Sequence, residues 1–409
     1  MRSVQDHLTA VLAGVGPVAP LEVVLADAVG CILATDLVAA RDLPGHALAG
    51  LDGYAVSSSD TDDAGPGLPL HLPVAHDVLA GAPAPLRLAP GQAVRISSGG
   101  PMPLGADAVI PMQDSDRGTA RVLVPRPYKP GEHVRRVGAD MAAGDTVLAA
   151  GIRLGPRQLA LVATLGRARV SVHPTPRVVV LSIGDELAEP GAPWRDGVVY
   201  DANGPALTAA VTAAGAAAVR VGVVGDDRTA LRQVIEDQLV RADLVLTTGG
   251  LSETGQDTVR DVLGPLGTVR FDHVAISPGR RQGFGRVGQH STAAGLPIFA
   301  LPGRPVAALI SFEVFVRPAL RAIAGRPALF RQSVAAVATT GWQSPAGVRQ
   351  FVPATLAGTP DGGYQVTPVG DPAGLSPVAL SGANALAVVP ERDVAVHPGD
   401  RVHCLVLGG

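Results

Sequence analysis

At 409 residues the chain is too long for one ordinary core, so two to four domains are expected, and 47% apolar with 17% charged residues marks them as globular. A formal net charge of −3, without a basic tract or interleaved aromatic and basic residues, excludes a general affinity for nucleic acid. Cys31 and Cys404 lack metal-ligand or disulfide spacing, no apolar run reaches membrane length, and Met1 to Leu8 has no apolar leader core, so a cytoplasmic protein away from membranes is expected.

Residues 3–15 carry Val4, Leu8, Val11, Leu12 and Val15 at helical spacing and read as a short amphipathic helix, ended by Pro17 and Pro20. A second helical piece is expected over 21–29, then a strand from Cys31 to Ala39. From Arg41 to Asp140 the texture changes to short strands separated by Pro and Gly, an all-β insertion. Within it, Asp52-Gly53 is a turn signal, Ser98-Gly99-Gly100 a loop, and Arg135, Arg136 and Asp140 a solvated charged face. A helix over 154–165 and a strand over 168–173 lead to a stiff junction at Pro174 and Pro176.

The β-branched run Arg177 to Ile183 suits a strand buried on both faces and ends in Gly184-Asp185-Glu186. A helix over 204–215, a strand over 217–224, the turn Gly225-Asp226-Asp227 and a helix over 228–241 capped by Asp227 follow. The apolar run Leu244 to Thr248 then enters a loop with Gly249, Gly250, Ser252, Thr254 and Gly255, and Asp257 opens a helix. Alternating strands and helices call for a doubly wound, mostly parallel sheet, which binds ligands at the carboxyl ends of its strands. Glycines admit close backbone approach there, and free N–H groups at a helix start favour an anion. After a strand over 269–275 come Ser277 and a turn rich in arginine, Arg280 and Arg281. The strand 297–301 runs into Pro302-Gly303-Arg304-Pro305 and a long helix from Val306 to about Ala324, so Pro302 to Arg304 form a second anion seat. From 327 onward five short strands, 332–341, 349–356, 364–368, 386–389 and 401–407, make a small β barrel or sandwich.

Seven motifs in order, Asp-Gly-Tyr-Ala (52–55), Gly-Ala-Asp-Ala-Val (105–109), Leu-Ser-Ile-Gly-Asp-Glu-Leu (181–187), Asp-Ala-Asn (201–203), Gly-Asp-Asp (225–227), Thr-Gly-Gly-Leu-Ser (248–252) and Leu-Pro-Gly-Arg-Pro-Val (301–306), resemble the molybdopterin molybdenumtransferase family, which includes bacterial MoeA and the gephyrin E domain. The resemblance spans essentially the whole chain. It implies an N-terminal mixed domain (1–40 plus 141–176), the inserted β domain (41–140), a doubly wound molybdopterin-binding domain (177–326) and a C-terminal small β barrel (327–409). It also implies a homodimer whose cleft is shared with the partner's insertion. The implied reaction inserts molybdate into adenylylated molybdopterin and releases AMP with help from magnesium, after an upstream adenylyltransferase and before downstream molybdoenzymes.

Carried over position by position, Glu186, Asp257, Asp227 and Asp52 match catalytic positions, with Glu186, Asp227 and Asp257 as metal ligands. Ser98, Asp140, Arg135, Gly249, Gly250, Ser252, Arg280, Arg281, Pro302, Gly303, Arg304 and Pro305 match substrate-binding positions, Pro302 and Pro305 shaping the molybdate end. Several positions depart from the family pattern. Ala47 and Ala49 replace an acid and a Ser, Ala139 a Glu, and Ile183 a hydroxyl residue; Ser277 and Arg280 stand where lysines are usual, Arg304 replaces Asn, and Ala307 replaces Ser. The retained carboxylates favour an enzyme, while the departures favour a diverged paralogue that binds molybdopterin or finished cofactor without catalysis. A nucleotide-binding oxidoreductase is disfavoured, since no Gly-x-Gly-x-x-Gly directly follows an expected strand and opens a helix.

Overall fold

A computed structural model describes residues 1–407 except 66, 83–85, 252–256, 289–294 and 375. The chain divides into two compact units, one of residues 1–34, 151–159 and 168–409, the other of residues 35–150 and 160–167.

The larger unit is built on a six-stranded sheet. Its elements in chain order are β1 (Arg177–Ile183), α1 (Asn203–Ala213), β2 (Ala217–Val224), α2 (Arg228–Gln238), β3 (Leu244–Gly249), α3 (Thr258–Leu266), β4 (Arg270–His273), β5 (Arg281–Val287) and β6 (Leu296–Leu301). The order across the sheet is β2-β1-β3-β6-β5-β4. The first four strands run parallel, and β5 is antiparallel to both β6 and β4. Between β1 and β3 the connections leave in opposite directions along the sheet, which opens a crevice at the strands' carboxyl ends.

Burial on both faces explains why β1 is apolar without a break from Val178 to Leu181. Val178 and Val180 face a core shared with Leu207, Leu246, Phe299 and Ile310, while Val179, Leu181 and Ile183 face Leu231, Ile235, Val259 and Leu263. After β6 the chain forms α4 (Pro305–Ser311), a π turn (Phe312–Val316) and α5 (Arg317–Ile323). The N-terminal helix, Val4–Ala13, is capped by the Ser3 hydroxyl, which accepts from Asp6 N at 3.0 Å, and it buries Val4, Leu8 and Val11 in the first of those cores.

Beyond α5, five strands close on themselves: β7 (Ser333–Ala338), β8 (Arg349–Thr359), β9 (Gly363–Pro368), β10 (Ala385–Val389) and β11 (Arg401–Val406). The ring runs β8-β9-β7-β11-β10 and back to β8, so the expected small barrel is closed. Its interior is lined by Ala336, Ala338, Ala354, Ala385 and Ala387 beside Val352 and Cys404, small side chains that a narrow barrel requires. Burial pushes the Cys404 thiol up to about 11, as suits a packing residue. A two-residue strand, Ile276–Ser277, adds to β8 in parallel and stitches the turn before β5 to the barrel.

Two expectations need correction. Residues 21–29 are not a helix: Leu21–Val24 is a strand paired antiparallel with Arg169–His173, because its two valines favour an extended partner, and turns follow. Arg281–Val287, read only as an arginine-rich turn, is the strand β5, held on both sides by β4 and β6.

The smaller unit holds a mixed five-stranded sheet in the order Ala108–Pro111, Gly53–Val56, Ala93–Ile96, Leu70–Val78, Arg121–Val124. Tyr54, Val56, Ile110 and Val124 form part of its core.

Candidate active site

Three loops at the carboxyl ends of β1, β3 and β6 meet at the crevice. At β1, Gly184 leads to Asp185, whose Oδ1 accepts from Asp226 N at 2.9 Å, while Asp226 Oδ2 accepts from Asp185 N at 3.3 Å. This mutual clasp fixes the β1 and β2 loops together and leaves Glu186 exposed. At β3, Gly249 has φ 87°, and a Cβ there would lie 2.2 Å from Ile183 O. Only glycine lets the β1 and β3 backbones approach so closely.

The β6 loop is tied to β3 by side chains. Thr248 Oγ1 donates to Pro302 O at 2.9 Å, and Asn203 Nδ2 donates both to Thr248 Oγ1 at 2.9 Å and to Gly303 O at 2.6 Å. Asn203 is buried, so this bracket is shielded from water. A third wall is the turn from Ile276 to Arg281. Buried Gln282 donates through Nε2 to Gly279 O at 2.6 Å and Ser311 Oγ at 2.7 Å, anchoring that turn to α4.

Together these walls enclose a cavity of about 1020 Å³. Of the residues expected at the site, Glu186, Gly249, Gly250, Arg280, Arg281, Pro302, Gly303 and Arg304 line it, with Asp226, Leu251, Ser277 and Ala307 between them. Two carboxylates and three guanidinium groups therefore face one space, a charge balance that suits an anionic ligand.

Other expected residues stand elsewhere. Asp227 does not line the cavity; its Oδ1 accepts from Ala230 N at 2.7 Å as the cap of α2. Pro305 sits in the first turn of α4, behind Arg304. Asp257 begins α3 without capping it; Oδ2 accepts from Arg281 Nη1 at 3.3 Å, and Oδ1 is buried with no partner. Asp257 faces a smaller cavity of about 160 Å³ beside His273 and Asp272, and Leu251 and Arg281 line both cavities. Ser252 lies outside the described residues. Among the described residues no group of three or more His, Cys, Asp or Glu side chains stands together to hold a metal ion.

In the smaller unit, Asp52 Oδ1 accepts from Ser98 N at 2.7 Å, joining the two motifs that carry them. Arg135 and Asp140 form an exposed ion pair, and Arg135 lies on the short strand Val134–Arg135 paired with Leu48–Ala49. The sequence missed Asn203 and Gln282 as site builders, because their partners lie up to 100 residues away; the Asp-Ala-Asn motif was the one available signal for Asn203.

A doubly wound domain with an oxyanion-suited cavity at the carboxyl ends of its parallel strands, in a chain that also carries a closed β barrel and a separate β unit, defines a multidomain anion-binding protein. Residues 2–166 match the family model of the MoeA N-terminal region (domain I and II), residues 179–322 that of a probable molybdopterin binding domain, and residues 335–407 that of the MoeA C-terminal region (domain IV). The chain belongs to the MoeA family of molybdopterin molybdenumtransferases. It is 42% identical over 411 residues to molybdopterin molybdenumtransferase 2 of Mycobacterium tuberculosis and 38% identical over 421 residues to molybdopterin molybdenumtransferase 1 of that organism, covering 98% of each chain in both cases. Among solved structures it resembles the molybdopterin biosynthesis MoeA protein from Pyrococcus horikoshii, with a TM-score of 0.84, 31% identity, and coverage of 100% of this chain and 99% of that one.

Proposed function

We propose that the chain is a molybdopterin molybdenumtransferase that inserts molybdate into adenylylated molybdopterin and releases AMP. The observation that carries this reading is the convergence of the β1, β3 and β6 loops on one cavity with Arg280, Arg281 and Arg304. Phosphate groups and molybdate are both oxyanions, and guanidinium forks with exposed backbone N–H groups are the donors such anions need. Arg280 and Arg304 orient the anionic ends of the substrates, while Gly249 and Gly250 let the backbone approach them. The rigid bracket at Asn203 keeps the Pro302 loop in place as ligands enter.

Magnesium commonly takes one or two protein carboxylates together with substrate phosphates and water, so a three-carboxylate cage is not required. Glu186 and Asp226, which line the cavity, are the residues that would hold it, and the cation would neutralise charge on the phosphoanhydride. Asp227 serves as a helix cap in this reading, and Asp257 acts through its pairing with Arg281. The protein works as a cytoplasmic homodimer, Asp52, Ser98, Arg135 and Asp140 serving the partner's cavity. It receives adenylylated substrate from an adenylyltransferase and passes cofactor to molybdoenzymes.

The test is direct. Purified protein is incubated with adenylylated molybdopterin, molybdate and magnesium, and AMP and active cofactor are measured. Turnover in wild type, with its loss in Glu186→Ala and Asp257→Ala at unchanged circular dichroism, is the expected result. Tight pterin binding without AMP release would instead make the chain a non-catalytic carrier, the reading that the alanines at 47, 49 and 139 would then explain.

A further inference from the structure

The cavity is walled by the doubly wound domain except at one point. Among the described residues that line it, Ala373 alone comes from the barrel, on the connection between β9 and β10. That connection is pinned where it leaves β9, since Val369 N donates to Pro353 O at 2.9 Å. Further on it folds into a compact turn: Asp371 Oδ1 accepts from Ala373 N and Asp371 O from Gly374 N, each at 2.9 Å. These two bonds shape the turn without fixing where it stands. Gln350 fixes it beside the cavity, donating from Nε2 to Pro372 O at 3.1 Å. The main chain of Gln350 also pairs with Ser277, another lining residue, so one position on β8 serves two walls.

Stability does not account for an amide there. Gln350 is 2% exposed, alternates along β8 with the barrel-core residues Val352 and Ala354, and leaves its Oε1 buried with no hydrogen-bond partner. A buried acceptor without a donor destabilises the fold, and an unbranched apolar side chain of the same length would fill the space without that penalty. What the amide contributes is its bond to the turn. Pro372 is half-buried, so its carbonyl would reach water once released, and nothing else described beside the cavity would hold the turn in place.

We propose that Gln350 is a positioning residue for the larger substrate: by holding Pro372 it keeps Ala373 at the cavity and sets the width on which the barrel side closes. The inference rests on the transferase reading. Adenylylated molybdopterin is long and carries rings, so it needs a wall facing the anion-binding loops. Molybdate is a small oxyanion, and the guanidinium groups with the β3 and β6 loops suffice to hold it. The ladder to Ser277 is made by main chain and survives a change of side chain at 350, so the Arg280 turn keeps its place.

Full-length wild type and Gln350→Met are compared by melting temperature, by calorimetric titration with adenylylated molybdopterin and with molybdate, and by steady-state AMP release. The variant is expected to melt at or above the wild-type temperature, to bind the pterin about tenfold more weakly, and to bind molybdate within about twofold of wild type. In turnover, the Michaelis constant for the pterin rises while the turnover number holds. Equal pterin affinity in the two proteins overturns the proposal. So does an equal loss for both ligands, which would make Gln350 a general prop of the fold. If Gln350→Met does not fold, Gln350→Leu takes its place, and failure of both to fold overturns the proposal, since the amide would then serve the fold itself. Wild type that binds the pterin but releases no AMP sinks the transferase reading, and the two affinities still decide on Gln350; wild type that binds no pterin sinks both.

Discussion

A methyl group at position 249 measures how tightly the loops converge. Gly249→Ala places a Cβ 2.2 Å from the Ile183 carbonyl oxygen at φ 87°, and neither backbone can yield without moving its strand. A loss of roughly 2–4 kcal/mol is expected in urea unfolding, and a near-wild-type midpoint would show that the approach is looser than described. Gln282→Leu tests a different property. It leaves Gly279 O and Ser311 Oγ without their shared donor, so the turn bearing Arg280 loses its anchor. The Michaelis constant for molybdate is expected to rise about tenfold with a smaller change in turnover, on the order of 1–2 kcal/mol for lost positioning hydrogen bonds; a pure fall in turnover would contradict this. At this scale the sequence was a partial guide. Gly249, Gly250 and Arg304 announce themselves by type and position, whereas the Asn203 bracket and the Asp257 to Arg281 pair depend on partners that only the folded chain supplies.

Among the elements, those with one dominant period were legible. β1 and β3 are runs of apolar and β-branched residues, and α2 has both its Asp227 cap and a regular stripe of Leu231 and Ile235. β5 was not, because Arg281-Gln-Gly-Phe-Gly-Arg-Val has two glycines and charged ends, and pairing with strands on both sides overrides that weak propensity. The segment Leu21–Val24 failed for the complementary reason: its periodicity permits a helix, and pairing with Arg169–His173 decides for a strand. The α2 cap gives a test that separates two roles. Asp227→Ala should cost about 1 kcal/mol of stability by loss of the bond to Ala230 N. Turnover reduced far more than that destabilisation explains would restore Asp227 to the chemistry.

For the molecule as a whole, the doubly wound domain and barrel could be foreseen because alternating elements leave few topologies, but chain-distant contacts such as those of the N-terminal helix could not. His7 on that helix is an example. It is buried edge-on to Phe315, and burial first, then Arg2, lower its pKa to about 4. Unfolded, it titrates near 6.5 and binds a proton that the folded chain refuses, so stability rises with pH between those values and is lost on acidification, by up to about 3 kcal/mol. His7→Phe is expected to shrink the fall in melting temperature between pH 7 and pH 4.5; an unaltered fall would place the effect elsewhere. The proposed shared-cleft dimer makes its own prediction. Chains carrying Asp52→Ala and chains carrying Glu186→Ala, each inactive alone, should regain activity when mixed as heterodimers, and no recovery would mean that each subunit works by itself. The two-residue ladder of Ile276–Ser277 on β8 has a mechanical outcome. The turn that carries Arg280 is held from two modules at once, by this ladder to the barrel and by Gln282 to α4, so both modules together set where that guanidinium stands. That wall of the cavity is therefore a joint, and a misfit in either module is felt where the anion would sit.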